Sequence, residues 1–291
     1  MKRDIVRATK AGFCMGVDLA LRKLDRVLDS NVEGGVICTL GPIIHNPQVL
    51  SEYAQRGVMQ IEQAAEVVKD SKVVIRAHGV PRDIQHDLQI RGADIVDATC
   101  PKVKKAQLLI AEQTANGRRL LLLGERHHPE VDGLLSYAGQ APIIFEKLDE
   151  LCQIELNPES PYFLAAQTTQ SRSEFNAVVA YVQEQLGKDI PVFDTICDTT
   201  RERQQEALNI ARQVDVVVVV GGYNSGNTRR LAQVVQTQGV ESIHIEHEDE
   251  LPLDRLRMAK RIGLTAGAST PKERIDQVQD ILSDLESSSH S

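Results

Sequence analysis

Asp97-Ala98-Thr99-Cys100-Pro101-Lys102-Val103 recurs in altered form at two other places in the chain. Ala11-Gly12-Phe13-Cys14-Met15-Gly16-Val17 stands upstream of it and Asp194-Thr195-Ile196-Cys197-Asp198-Thr199-Thr200 downstream. In each copy an apolar, strand-like run ends in a short turn, a cysteine follows, and helical periodicity begins within a few residues. Each thiol is therefore expected near a helix N-terminus, where unpaired backbone N–H groups favour negative charge and lower a thiol's pKa. Cys14 and Cys100 lie 86 positions apart and Cys100 and Cys197 lie 97 apart, each interval about the size of one small domain. The pattern reads as a threefold internal repeat, with one thiolate from each unit converging on a shared centre.

Composition narrows the classes. Of 291 residues 42% are hydrophobic but only 3% aromatic, with no Trp, so aliphatic strands and helices must supply the core. A formal charge of −8 argues against nucleic acid as the main partner, although one cleft can still be cationic. Met1-Lys2-Arg3-Asp4-Ile5-Val6 opens no apolar stretch long enough for a signal peptide. The longest apolar runs, Val216 to Val220 and Leu120 to Leu123, are far too short to span a bilayer. A cytoplasmic protein with no membrane partner is expected. Five cysteines, an odd number in a reducing compartment, suit metal or redox chemistry better than a disulfide framework.

Strand-like runs alternate with helical periodicity along the chain, which implies an α/β fold with parallel sheets and helical crossovers. The expected architecture is three pseudo-equivalent α/β units arranged around a central cavity. Residues 1–98 form the first unit with Cys14, 99–194 the second with Cys100, 195–281 the third with Cys197, and 282–291 a disordered tail. Ligands of open α/β sheets bind beyond the carboxyl ends of the strands. There stand His45, His78, His128 with Glu130, Thr168, Ser225 with Asn227, and Ser269.

The ordinary fate of a free cysteine is that of a small buried hydrophobe, and Cys38 and Cys152 are read that way. Cys14, Cys100 and Cys197 share one place in the repeat, which points to ligation instead. Zinc normally shows a close Cys-x-x-Cys pair or a nearby fourth ligand, and neither occurs. An iron–sulfur cluster accepts widely separated thiolates, and three of them on a four-iron cluster leave one iron open to substrate. His86, His127, His244, His247 and His290 read as surface or satisfied core residues. His45, His78 and His128, in strand-to-helix loops, can meet an anion as imidazolium, and Ser225, Asn227 and Ser269 add hydroxyl and amide donors; together they suit a diphosphate. Taken singly, each is also an ordinary turn former or helix cap. Glu130 is either a first-turn acid favoured by the helix dipole or, beside a cluster and a bound alcohol, a proton donor with Thr168 as relay.

These residues carry a family resemblance. Ala11 to Val17, Gly41 to Val49, Arg76-Ala77-His78-Gly79, Asp97 to Pro101, His128-Pro129-Glu130-Val131, Gln167-Thr168-Thr169, Thr195-Ile196-Cys197 and Ala266-Gly267-Ala268-Ser269 resemble the LytB family of 4-hydroxy-3-methylbut-2-enyl diphosphate reductases. The likeness spans nearly the whole chain, in order and at compatible spacing. It implies a [4Fe–4S] cluster on Cys14, Cys100 and Cys197, and a diphosphate held by His45, His78, His128, Ser225, Asn227 and Ser269. It further implies that Glu130, through Thr168, supplies the proton that turns the allylic hydroxyl into water. Two-electron reductive dehydroxylation then gives isopentenyl and dimethylallyl diphosphate, the last step of the methylerythritol phosphate route, with ferredoxin or flavodoxin as electron donor. Gly226 stands where the family usually has a second serine, so its backbone N–H is expected to replace one hydroxyl contact. Two other readings compete. An iron–sulfur sensor needs no anion pocket, and a cysteine hydrolase needs one preferred Cys–His pair.

Overall fold

The computed structural model describes residues 4–31, 34–139 and 141–285. In chain order β1 (Asp4–Arg7) and α1 (Met15–Asp29) lead to β2 (Ile37–Leu40), α2 (Pro47–Gln55), β3 (Val58–Ile61), β4 (Lys72–Ile75), α3 (Arg82–Ile90) and β5 (Asp94–Asp97). Next come α4 (Pro101–Ala115), β6 (Arg119–Leu123), α5 (Pro129–Leu135), β7 (Ile143–Phe145), α6 (Leu148–Leu151), β8 (Tyr162–Ala166) and α7 (Arg172–Leu186). Then follow α8 (Asp198–Ala211), β9 (Val216–Val220), α9 (Gly226–Gln236), β10 (Glu241–Ile245), α10 (Leu253–Leu256), β11 (Arg261–Ala266) and α11 (Lys272–Asp284). Every strand pairing is parallel, as the strand–helix alternation requires.

Three sheets result, with the orders β3-β2-β4-β5, β7-β6-β8 and β10-β9-β11-β1. The second sheet gains a fourth member as a single parallel bridge from Val192 to Leu164 on β8. Each sheet therefore has the same plan, and its fourth position (β5, Val192 or β1) is the segment that runs on to a cysteine. This changes the phase of the expected repeat. The first strand was expected in a unit of residues 1–98, but it pairs with β11, so Cys14 closes the sheet built by the C-terminal part of the chain.

The molecule has two compact units: one comprises the chain up to Met15, His45–Pro47 and the chain from Asp198 on, the other Gly16–Ile44 and Gln48–Cys197. In the first unit alternation along the valine run decides the packing. Val216, Val218 and Val220 face Ile275, Val278 and Leu282 of α11, whereas Val217 and Val219 face Ala207 and Ile210 of α8 and Leu231 and Val235 of α9. A strand covered on both faces must be apolar throughout, hence five consecutive valines. In the second unit Leu121 and Leu123 pack on Phe175, Val178 and Val182 of α7, and Leu120 and Leu122 on Ile110 of α4 and Val131 and Leu134 of α5. Cys38, Leu40, Val73 and Ile75 form the core of the β3-β2-β4-β5 sheet with Leu88 of α3.

Several local expectations change. Pro191–Phe193 makes only the Val192 bridge and no extended strand. Cys38 is buried as expected, but Cys152 is exposed, because it caps the short α6 at the surface instead of entering its core. Residues 282–284 belong to α11, with Leu282 fully buried and Leu285 nearly so; the remainder of the expected tail, 286–291, lies outside the described residues. No helix among the described residues is long and apolar enough to cross a membrane.

Candidate active site and metal centre

The three cysteines occupy equivalent positions. Each is the last residue before a helix: Cys14 before α1, Cys100 before α4 and Cys197 before α8. Each backbone N–H donates to the carbonyl two residues beyond its sheet's third strand: Cys14 to Ala268 (3.1 Å), Cys100 to Ala77 (2.9 Å) and Cys197 to Thr168 (2.9 Å). All three are half-buried, and none is in a disulfide. Three half-buried thiols at equivalent turns, outside any disulfide, are a donor set that fits the iron–sulfur ligation expected from the sequence.

Within the second unit six of the expected site residues join one network. The Thr168 carbonyl holds Cys197, while its backbone N–H donates to Glu130 Oε1 (2.6 Å) and its Oγ1 to Oε2 (2.8 Å). The Glu130 N–H in turn donates to His128 Nδ1 at 3.1 Å, which makes His128 the N-cap of α5. The His128 ring meets that of His78 edge to face with centroids 5.4 Å apart, and Ala77, next to His78, binds the Cys100 N–H. His128 Nδ1 is taken up by the α5 cap, which leaves Nε2 as the ring nitrogen for a ligand. Glu130 is only 1% exposed. Burial pushes its carboxyl up from 4.5 to about 7, against the lowering effect of both Thr168 bonds and with a small rise from the Glu125 charge.

The first unit collects the rest. Ser269 Oγ donates to the His45 carbonyl (3.1 Å), and the Asn46 side-chain amide donates to the Ser269 carbonyl (3.0 Å). Gly222 packs on the same His45 carbonyl: a Cβ there would stand 2.7 Å from the oxygen, so only glycine permits the approach. Ser225 is the N-cap of α9, accepting from the Thr228 N–H at 3.3 Å, and α9 starts at Gly226. Asn227 is buried, and its Nδ2 has no hydrogen-bond partner among the described residues. A helix start bearing a buried amide donor is an anion site in waiting. Among the histidines set aside, His86 and His127 are exposed, His244 Nε2 meets the Gly221 carbonyl at 2.8 Å, and His290 lies outside the described residues.

Sequence reasoning missed the supports of these groups. Asp97 Oδ1 accepts from the Thr99 N–H (2.9 Å) and Oγ1 (2.5 Å), and Asp194 Oδ1 accepts from the Ile196 N–H (3.3 Å). Burial alone would raise the Asp97 carboxyl, but the bonds from Thr99 and Lys104 outweigh it and hold the group below its ordinary range. The signal was present in the shared aspartate three residues before Cys100 and Cys197. Asn46 and Arg203 left no such signal, since each acts on main-chain carbonyls remote in sequence.

The family model described as LytB protein matches residues 5–283. The chain belongs to the LytB family. Its relatives include proteins named 4-hydroxy-3-methylbut-2-enyl diphosphate reductase: that of Nitratidesulfovibrio vulgaris (strain DSM 19637 / Miyazaki F) is 58% identical over 97% of this chain and 99% of its own. That of Clostridioides difficile (strain 630) is 34% identical over 97% and 100%. Among solved structures, a family member described as the terminal enzyme of the non-mevalonate pathway is 37% identical over 96% of this chain and 98% of its own, with a TM-score of 0.67. The reductase of Plasmodium falciparum shares the fold at a TM-score of 0.92 with 24% identity, covering 97% of this chain and 88% of its own.

Proposed function

We propose that this LytB-family chain reduces (E)-4-hydroxy-3-methylbut-2-enyl diphosphate to isopentenyl and dimethylallyl diphosphate, consuming two electrons and two protons and releasing one water. The observation that carries the reading is the buried Glu130 carboxyl, raised to about 7 and bonded twice to Thr168. Such a group is a general acid near neutral pH. Family membership over residues 5–283, and relatives bearing the reductase name, support the reaction itself.

In this reading Cys14, Cys100 and Cys197 hold a [4Fe–4S] cluster, which when bound supplies electrons and a Lewis-acidic iron. His45, His78, His128, Ser225, Asn227 and Ser269 bind the diphosphate, with Asn227 Nδ2 and the Gly226 backbone N–H at the start of α9 as further donors. Glu130 Oε1 accepts from a backbone N–H, which can only donate, so the proton it holds sits on Oε2. In that protonated form the 2.8 Å bond between Oε2 and Thr168 Oγ1 reverses, with Oε2–H donating, so Thr168 receives this proton and passes its own to the departing hydroxyl. The enzyme works in the cytoplasm and takes its electrons from a ferredoxin or flavodoxin.

Anaerobic purification of Glu130→Gln and Cys100→Ser tests the assignment. The glutamine variant should keep iron and colour yet lose most turnover of the allylic diphosphate, and the serine variant should lose both. Full turnover in Glu130→Gln would show that the proton comes from another group.

A further inference from the structure

Among the described residues, histidine aside, one acidic and one basic side chain are buried, Glu130 and Arg203. The reading above uses the first and leaves the second without a task. Arg203 is 4% exposed and sits on α8, the helix that Cys197 precedes. Its Nη2 donates to the Gly12 carbonyl at 2.6 Å and its Nη1 to the Ala266 carbonyl at 3.3 Å. Gly12 lies two residues before Cys14, and Ala266 ends β11 three residues before Ser269. A buried guanidinium that bridges main-chain carbonyls from two remote segments of the chain has a structural reason to be there.

The repeat shows what that reason is. Three residues before Cys100 and Cys197 stand Asp97 and Asp194, each accepting the N–H two residues on and so fixing the turn that presents the thiol. The corresponding position before Cys14 is Ala11, which has no side-chain acceptor. That turn also contains Gly12 at φ +107°, in the region glycine alone enters freely. The Cys14 N–H ties the turn to Ala268. Arg203 joins the Gly12 carbonyl to the strand end just before Ala268, which closes the turn from outside.

We infer that Arg203 is a positioning residue for the metal centre, doing for the Cys14 turn what Asp97 and Asp194 do for the other two, and bringing a guanidinium to the carbonyl two residues before that cysteine. The inference rests on the reading of Cys14 as a cluster ligand. Groups that orient metal ligands typically change metal affinity by about ten- to a hundredfold when removed, and net charge near a cluster sets its potential.

The test compares Arg203→Met, Arg203→Lys and, as a control that only weakens the core, Val278→Ala in α11. Each chain is purified anaerobically and assayed for iron and sulfide, for the rate of iron loss to a ferrous chelator, and for midpoint potential by electron paramagnetic resonance. Arg203→Met should lose iron about ten- to a hundredfold faster than wild type and show a more negative midpoint. Arg203→Lys should restore the midpoint, through its charge, but only part of the retention, since an ammonium lacks the planar fork that spans two carbonyls. Val278→Ala should melt earlier and leave both readouts unchanged. Wild-type iron retention and midpoint in Arg203→Met would overturn the inference, as would equal shifts in Val278→Ala. If Arg203→Met does not fold, Arg203→Lys decides, and retention equal to wild type counts against the inference. A wild-type chain without iron would sink the proposed function as well, whereas an iron-loaded wild type with undisturbed variants would sink this inference alone.

Discussion

At the scale of single residues, Glu130 and His128 do different work from adjoining positions. Because the Glu130 carboxyl is raised from 4.5 to about 7 in the fold, its protonated form is the one the native state favours. Its contribution to stability is fully present below about 4.5 and is lost as pH rises through about 7. Wild type should therefore fall in melting temperature relative to Glu130→Gln across that interval, and its turnover should decline above about 7 as the donor loses its proton. A wild type and glutamine variant with parallel melting curves would show that the carboxyl is not buried. His128 is both cap and proposed ligand. His128→Ala should cost about 1 kcal/mol from the lost cap, measured by denaturant unfolding, and should also raise KM. His128→Asn should recover the stability but not the KM, since its amide caps the helix without reaching as far. The residue types of this site were legible in sequence because loops after strands carry chemistry. The link between Glu130 and Thr168, 38 positions away, was expected as well; that the Thr168 backbone N–H joins its hydroxyl in it, and that His128 caps α5 through Nδ1, were not, because both depend on contacts only folding makes.

At the scale of elements, the strands that stand out most in the sequence are the apolar runs. Val216–Val220, Leu120–Leu123 and Tyr162–Ala166 are apolar because both faces are covered. The three strands that escaped notice, β3, β7 and β10, each lie at a sheet edge, pair with one neighbour, and are only partly buried. They nevertheless share a signature. In Ile61-Glu62 to Glu66-Val67, Phe145-Glu146 to Glu150-Leu151 and Ile245-Glu246 to Glu250-Leu251, the second glutamate accepts the N–H of the first, at 3.0, 2.9 and 2.9 Å. This acidic turn follows the edge strand of every sheet and is a more faithful mark of the repeat than any strand's hydrophobicity. The end of α11 was missed for the opposite reason: the polar composition of the terminal residues hid Leu282, whose side chain closes the core beneath Val216 and Val218. Leu282→Ala should cost about 2–5 kcal/mol in chemical denaturation, where a residue in a loose tail would cost nothing measurable.

At the scale of the molecule, three cysteines about a hundred residues apart were enough to announce a threefold plan, and the plan is present in strand order, in the backbone bond of each cysteine and in the acidic turns. Its phase was not legible, since nothing local in Asp4–Arg7 says that its partner is β11, more than 250 residues later. Such pairing is decided by which sheet edge is left open once the later strands have folded. The central claim is that the three equivalent thiols serve one inorganic centre used in a reduction. It is tested most directly by purifying the chain without oxygen, measuring iron and sulfide per chain, and following turnover of the allylic diphosphate with a reduced dye. The account predicts a coloured protein with about four iron and four sulfide per chain that forms both isomeric products. A colourless, iron-free chain that still turns over the substrate would contradict it.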